Sequence, residues 1–228
     1  MDKIKVVNET SKDVVELYLS GTIREPYPWE KPDACVNARL VRETLAEIGD
    51  KNLHVYLNSG GGDVFESIEI RNLLKGHKGD LAIIITGRAG SGASIIATAG
   101  KVRMYRNTMQ MVHKAEAVVR GNADGLRKIA TTLEKIDESV QASYGKKFVG
   151  TEEELKQLIA EETWLTAEEC LALGFCDEII DGEKEDEPQN SAPKVNVKES
   201  LLAKYQKEPK TEPRSFFNAF NKEKESEV

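Results

Sequence analysis

The sequence predicts an α/β fold with a largely parallel β-sheet, and three observations support this fold class. Short apolar strands alternate with helical patterns along the first half of the chain. Helices between short apolar strands imply right-handed crossover connections. Two strand-to-helix turns, at 59–62 and 87–92, are rich in glycine. Because ligands of such sheets gather at the carboxyl ends of the strands, the two turns are expected to face one crevice.

Hydrophobic periodicity and capping residues define the individual elements. In chain order, they are a strand at 14–19, a helix capped by Asp33 and ended by Gly49, a strand at 53–57, a helix that opens at 60–62, a strand at 81–86, a helix at 91–99 and a strand at 109–112. The first helix carries Val36, Val41 and Ile48 on one face. That face is expected to pack on the sheet.

A narrow apolar seam marks residues 122–144 as a different kind of helix. The seam residues recur at alternating steps of three and four: Leu126, Ile129, Leu133, Ile136, Val140 and Tyr144. A helix that lies on a sheet has a wider apolar stripe. Two interpretations stay open, a surface helix of the same domain and a protruding helix that packs against another subunit. The narrow seam favours the second.

Composition excludes several classes of partner. The formal net charge of −7 argues against binding to a nucleic-acid backbone. No apolar run approaches the roughly 20 residues that cross a bilayer, so no membrane partner is expected. The amino terminus lacks the apolar core of a signal peptide. Cys35, Cys170 and Cys176 are too scattered for a disulfide framework and are expected to be buried core residues in a reducing cytoplasm.

The composition changes near Asp181, where a tail rich in Lys, Glu and Pro begins. Such a segment buries too little apolar surface to offset its ordering entropy, so 183–228 is predicted to be mostly disordered. Two apolar clusters, at 201–205 and 216–220, interrupt the tail. Each is either a transient helical turn or a short docking motif.

One serine and one histidine stand out as chemical groups. Ser91 lies where a buried strand turns into a buried helix, and the N–H of Gly92 can face an oxyanion formed on its adduct. His113 ends an apolar strand downstream, as a general base would. Ser94 lies on the same helix face but is a weaker candidate. From spacing alone, a tight structural turn at Ser91 remains the alternative to a nucleophile.

Four blocks of sequence resemble a known family. They are Asn58–Val64, Gly87–Ser94, Met109–His113 and Trp164–Ile180. Their order and spacing, over about 14–181, resemble the Clp protease proteolytic subunit. The resemblance is closest to the Clp-like head maturation (prohead) proteases of tailed bacteriophages and prophages.

The resemblance implies a Clp/crotonase fold of stacked ββα units with a protruding handle helix, within a protease domain at 1–182. It implies a serine-peptidase triad with Ser91 as nucleophile, His113 as base and Glu162 as acid. The backbone N–H groups of Gly62 and Gly92 would form the oxyanion hole.

Substrate binding is implied for a short run of backbone. Gly61, Gly62, Asp63 and Val64 would add a strand to an extended peptide. Two positions depart from the family pattern. Gly60 stands where the family has proline, and Glu162 stands where the Clp subunit has aspartate. Glu161 and Asp177 therefore remain alternative acids.

The implied function is serine endopeptidase activity on capsid or scaffold proteins during phage head maturation. The protein would form homo-oligomeric rings in the cytoplasm of a bacterial host and be encoded by a phage or prophage. No metal or organic cofactor is implied, and an ATPase unfoldase as partner is left open. A non-catalytic Clp-fold ring or scaffold subunit and a crotonase-type acyl-CoA enzyme are the alternative functions.

Overall fold

The structure, a computed structural model, describes residues 4–11, 14–180 and 196–205. Within this part of the chain, eight strands form one sheet: β1 (Ile4–Ser11), β2 (Val14–Ile23), β3 (Asn52–Gly62), β4 (Leu81–Gly90), β5 (Lys101–Tyr105), β6 (Met109–Val112), β7 (Thr163–Thr166) and β8 (Glu178–Ile180). The strand order is β1-β2-β3-β4-β5-β8, with β6 beside β4 and β7 beside β6. All pairings are parallel except β1–β2 and β6–β7. The predicted fold class, an α/β fold with a largely parallel sheet, is confirmed.

Seven helices connect or flank these strands in the described ranges. They are α1 (Ala38–Ile48), α2 (Val64–Lys75), α3 (Gly92–Ala97), α4 (Ala123–Tyr144), α5 (Glu152–Ala160), α6 (Ala167–Leu173) and α7 (Val197–Tyr205). Among the helices that can be described, none combines the length and apolar character of a membrane span.

The first helix begins later than the sequence predicted, so Asp33 as its cap was wrong. Asn37 is the N-cap, and its side chain accepts a hydrogen bond from the Leu40 N–H at 3.1 Å. Val36, which was expected on the helix, instead forms a bridge to Ile23 at the end of β2. That bridge keeps the chain extended up to Asn37, so the helix cannot start earlier.

Both glycine-rich segments extend strands rather than forming turns. β3 runs to Gly62, which pairs with Ile23, and β4 runs to Gly90, which pairs with Met111. Glycine permits this close backbone packing because it has no side chain. The strands therefore carry the chain directly to the candidate site, with Ser91 immediately after β4.

The core lies between the sheet and its helices, and the cysteines belong to it as predicted. Cys35, Cys170 and Cys176 are buried and free. Burial raises the pKa of the Cys170 thiol well above its ordinary value. A neutral, enclosed thiol is a poor nucleophile.

The long helix α4 is buried only at its end. Its buried residues are Val140, Ser143 and Tyr144, whereas Leu126 near its start is 42% exposed. The amino-terminal part of α4 therefore extends away from the sheet. Its apolar side chains are free to meet another surface.

Part of the charged tail forms a helix on the body of the domain. In α7, Leu201 and Leu202 are buried, and the helix contacts α5 and α6. The apolar cluster at 201–205 is thus docked on its own chain. The rest of the tail, including the cluster at 216–220, lies outside the described residues.

Candidate active site

One cavity of about 560 Å³ brings together the site residues that the sequence singled out. Its lining includes Gly61, Gly62, Asp63, Val64, Ser91, Gly92, His113 and Glu162. These residues come from four separate stretches of sequence: the end of β3 and start of α2, the turn after β4, the residue after β6, and the residue before β7. The expectation that the glycine-rich segments face one crevice is met.

Ser91 and His113 are in direct contact. Ser91 Oγ lies 2.7 Å from His113 Nε2, which is hydrogen-bonding distance. The Ser91 N–H donates to the Met111 carbonyl at 3.0 Å, so the backbone holds the serine against the histidine strand. A hydroxyl that donates to a neutral imidazole can lose its proton to it as it attacks a carbonyl carbon.

Two candidate site residues share an unusual backbone conformation. Among the described non-glycine residues, Ser91 and Glu162 have positive φ angles, and both angles are 51°. Side chains with a Cβ rarely adopt this region, which costs on the order of 1–3 kcal/mol. Such strain persists where the surrounding structure imposes it, and it clusters at functional sites.

The Glu162 carboxylate, the candidate acid of the triad, shares the cavity with His113 but makes no hydrogen bond to it. Glu162 lines the cavity and is exposed, between α5 and β7. No hydrogen bond to His113 Nδ1 is made by any residue in the described ranges. The candidate third member of a triad is therefore not hydrogen-bonded to His113 in this structure.

The two alternative acids occupy other places. Glu161 is the C-cap of α5 and does not line the cavity. The Asp177 carboxylate accepts hydrogen bonds from the Val102 N–H at 2.7 Å and the Lys147 ammonium at 2.5 Å. Those partners hold Asp177 at the β5–β8 end of the sheet. Of the three carboxylates, Glu162 is the one that lines the cavity together with Ser91 and His113.

Two glycines are required by the geometry beside the serine. Gly61 has a φ of 96°, and a Cβ there would lie 2.7 Å from Ser91 Cβ. Gly62 has a φ of 150°, and a Cβ there would collide with the Ile23 carbonyl. Gly92 is the first residue of α3, where a helix leaves its N–H groups without intrahelical acceptors. These backbone groups border the cavity beside Ser91.

The Asp63 side chain has a structural partner. Its carboxylate caps α2 by accepting hydrogen bonds from the N–H groups of Phe65 and Glu66, both at 2.9 Å. What the segment offers to the cavity is thus backbone rather than a free carboxylate. This agrees with the idea of a strand that pairs with a peptide, which uses main-chain groups.

Sequence reasoning missed one wall of the cavity. Leu133, Ile136 and Val140 of α4 line it, so the apolar seam serves the site at this end of the helix. Asp137, on the same stretch, accepts a hydrogen bond from the Ala115 N–H at 2.8 Å and fixes the segment after His113. The seam pattern alone carries no signal that separates a cavity wall from an assembly surface.

Comparison with known proteins adds family context. The sequence model of a family described as Clp protease matches residues 33–183. Two relatives described as "ATP-dependent Clp protease proteolytic subunit", from Streptococcus suis (strain 98HAH33) and Streptococcus gordonii (strain Challis), are each 31% identical to this chain, over 146 and 147 residues. Each match covers 59% of this chain and 71% of the relative. Every residue that lines the cavity falls within the family match.

Proposed function

This chain belongs to the Clp protease family, and we propose that it is a serine endopeptidase whose nucleophile is Ser91. The single observation that carries the proposal is the 2.7 Å contact between Ser91 Oγ and His113 Nε2. In the reaction, His113 takes the hydroxyl proton while Ser91 Oγ attacks the peptide carbonyl carbon. The protonated imidazole then gives that proton to the leaving amine, and water hydrolyses the acyl-enzyme by the same steps.

Main-chain groups of the protein are assigned two roles, stabilising the oxyanion and binding the substrate backbone. The N–H groups of Gly62 and Gly92 stabilise the negative oxygen of the tetrahedral intermediate. The main-chain groups of Gly61–Val64, at the end of β3 and the start of α2, pair with the peptide on one side of the scissile bond. Glu162 orients the imidazole and stabilises its charged form. Support for these roles comes from the shared cavity and the positive φ at Ser91 and Glu162.

Fluorophosphonate labelling with mass-spectrometric mapping tests this function, together with hydrolysis of fluorogenic peptides. The proposal expects one labelled site, Ser91, and peptide hydrolysis that the label abolishes. An unlabelled protein without peptidase activity would instead fit a non-catalytic ring subunit. Turnover of acyl-CoA thioesters without labelling would fit a crotonase-type enzyme.

The finer proposal is that capsid and scaffold proteins are the substrates, in a bacterial host that carries a phage or prophage. It is supported by the four sequence blocks at 58–64, 87–94, 109–113 and 164–180, which resemble Clp-like prohead proteases. Purified phage capsid and scaffold proteins are the substrates to test. Cleavage at defined sites supports this role, and cleavage of unstructured peptides alone counts against it.

Assembly into homo-oligomeric rings is proposed through the protruding part of α4. Leu126 is 42% exposed, and Ile129 lies on the same face one turn later. We expect Leu126→Asp with Ile129→Asp to reduce the size of the oligomer in sedimentation velocity, because charge cannot be buried in an apolar contact. Ile136 is left unchanged because it lines the cavity.

The matched control replaces two exposed polar residues of the same helix, Lys128→Asp with Thr131→Asp. The control is expected to sediment like the unmodified protein. If the Leu126 and Ile129 variant also does so, this end of α4 is not a subunit contact. Unchanged circular dichroism in both variants would show that the αβ core remains folded.

A further inference from the structure

A second serine beside the nucleophile sits in a buried hydrogen-bond network. Ser94 on α3 is 0% exposed and Tyr144 at the end of α4 is 1% exposed. Ser94 Oγ lies 2.6 Å from the Ser91 carbonyl, 2.9 Å from the Met111 carbonyl and 2.7 Å from the Tyr144 hydroxyl. The sequence ranked Ser94 only as an alternative nucleophile. Its buried hydroxyl is instead fully occupied by structural partners.

The direction of each hydrogen bond follows from the chemistry of the groups. A carbonyl oxygen only accepts, so the one proton of Ser94 Oγ goes to the carbonyl of Ser91 or Met111. Tyr144 must then donate to Ser94. Burial raises the pKa of the Tyr144 hydroxyl, which keeps it protonated as a donor. The chain of donors runs from α4, through α3, to the backbone of the active site.

The two accepting carbonyls belong to the segments that carry the reacting side chains. One is the carbonyl of Ser91 itself, which also accepts the Ser94 N–H at 2.9 Å. The other is that of Met111, two residues before His113, which also accepts the Ser91 N–H at 3.0 Å. The Ser94 hydroxyl therefore lies between the nucleophile turn and the histidine strand, within hydrogen-bonding distance of both carbonyls, and its proton bonds one of them or is shared by the two. The turn that it contacts includes Ser91, whose φ of 51° requires support from the surrounding structure.

We propose that Ser94 and Tyr144 are positioning residues that hold Ser91 and His113 in their reactive geometry, and that they connect α4 to the nucleophile. This proposal rests on the proposed peptidase function. The Tyr144 ring is independently placed by an edge contact with Phe175, with ring centroids 5.7 Å apart. Removal of the hydroxyl alone should therefore leave the ring in place.

The test compares Tyr144→Phe, Ser94→Ala and the double variant by steady-state kinetics and thermal melting. Each single variant should lower kcat about tenfold, with a smaller change in KM, because a misplaced nucleophile affects the reaction more than binding. Ser94→Ala should also lower Tm by roughly 3–8 °C, because it leaves the buried Tyr144 hydroxyl unpaired. The double variant should regain most of that Tm and none of the kcat.

Ser143→Ala is the matched control. Ser143 is the neighbour of Tyr144 on α4, and its buried hydroxyl donates only within the helix, to the Ser139 carbonyl at 3.0 Å. Its kcat should equal that of the unmodified protein. A purely structural role would change Tm in the Ser94 and Tyr144 variants while kcat below the melting range stays within about twofold. That outcome overturns the proposal.

Imidazole NMR separates this inference from the proposed function. The chain has three histidines, so His54 and His77 serve as internal references for His113. The proposal expects Tyr144→Phe to shift the His113 resonances alone. An inactive, unlabelled protein that shows this shift would reject the peptidase function and keep the positioning. An active protein with unchanged His113 resonances and kcat would reject the positioning alone.

Discussion

Ser91→Ala is expected to abolish peptide hydrolysis, with a loss of about 10⁴-fold or more in kcat. The variant removes only the atom that attacks the carbonyl, since Ser91 is held by its backbone N–H and carbonyl bonds. Alanine tolerates the φ of 51° no worse than serine, because both carry a Cβ. Fold and assembly should therefore persist. The measurements are fluorogenic peptide turnover, fluorophosphonate labelling and sedimentation velocity.

Ser94→Ala is the positional control for that experiment. Ser94 is three residues away and its hydroxyl is enclosed, so a fluorophosphonate cannot reach it. Labelling of Ser91 should survive in this variant at a reduced rate. Label that remains on Ser91→Ala protein would show that another residue is the nucleophile.

The candidate nucleophile Ser91 and candidate base His113 could be picked out from the sequence because both follow apolar strands directly. Ser91 comes immediately after β4 and His113 immediately after β6, and parallel neighbours end at the same edge of a sheet. That β6 pairs with β4, although β5 lies between them in sequence, is the long-range contact that only the structure supplies. Gly90 and Gly92, which flank Ser91 in sequence, gave a second local signal, since glycines let backbone N–H groups face a ligand.

Other features depended on contacts that no local pattern contains. The sequence predicted Asp33 as the cap of α1, whereas the structure has Asn37, because Val36 pairs with Ile23 in another element. The cavity wall on α4 depends on the angle at which that helix leaves the sheet. The pairing of Ser94 with Tyr144 joins residues 50 positions apart. Hydrophobic periodicity identifies which face of a helix is apolar but not what covers it.

The candidate acid Glu162 shows the same limit of sequence-based prediction for a single side chain. The resemblance to the family puts the candidate acid at Glu162, yet spacing cannot determine whether the longer glutamate side chain reaches the imidazole of His113. In the structure, it lines the cavity without a hydrogen bond to His113. Catalytic hydrogen bonds often shorten only in the substrate complex. The positive φ at Glu162 is the physical reason to keep it as the candidate acid.

Glu162→Gln is expected to lower kcat by about 10²–10⁴-fold in the assembled protein, with the oligomer and KM largely unchanged. A neutral amide cannot stabilise the imidazolium that forms when His113 takes the Ser91 proton. It can also present its N–H to Nδ1 and so favour the unproductive tautomer. Glu161→Gln is the matched control, because Glu161 is the adjacent exposed carboxylate and does not line the cavity.

Glu162→Asp keeps the negative charge but shortens the side chain, so its comparison with Glu162→Gln separates the effect of charge from that of side-chain length. Aspartate adopts positive φ more readily than most residues, so the backbone at this position should hold. We expect it to retain far more activity than the glutamine variant, because the charge remains near His113. If Glu162→Gln stays within a few-fold of the unmodified protein, His113 works without Glu162, either as a dyad with Ser91 or with another carboxylate. Equal losses in Glu161→Gln and Glu162→Gln would point to damage at the end of α5 rather than to a catalytic acid.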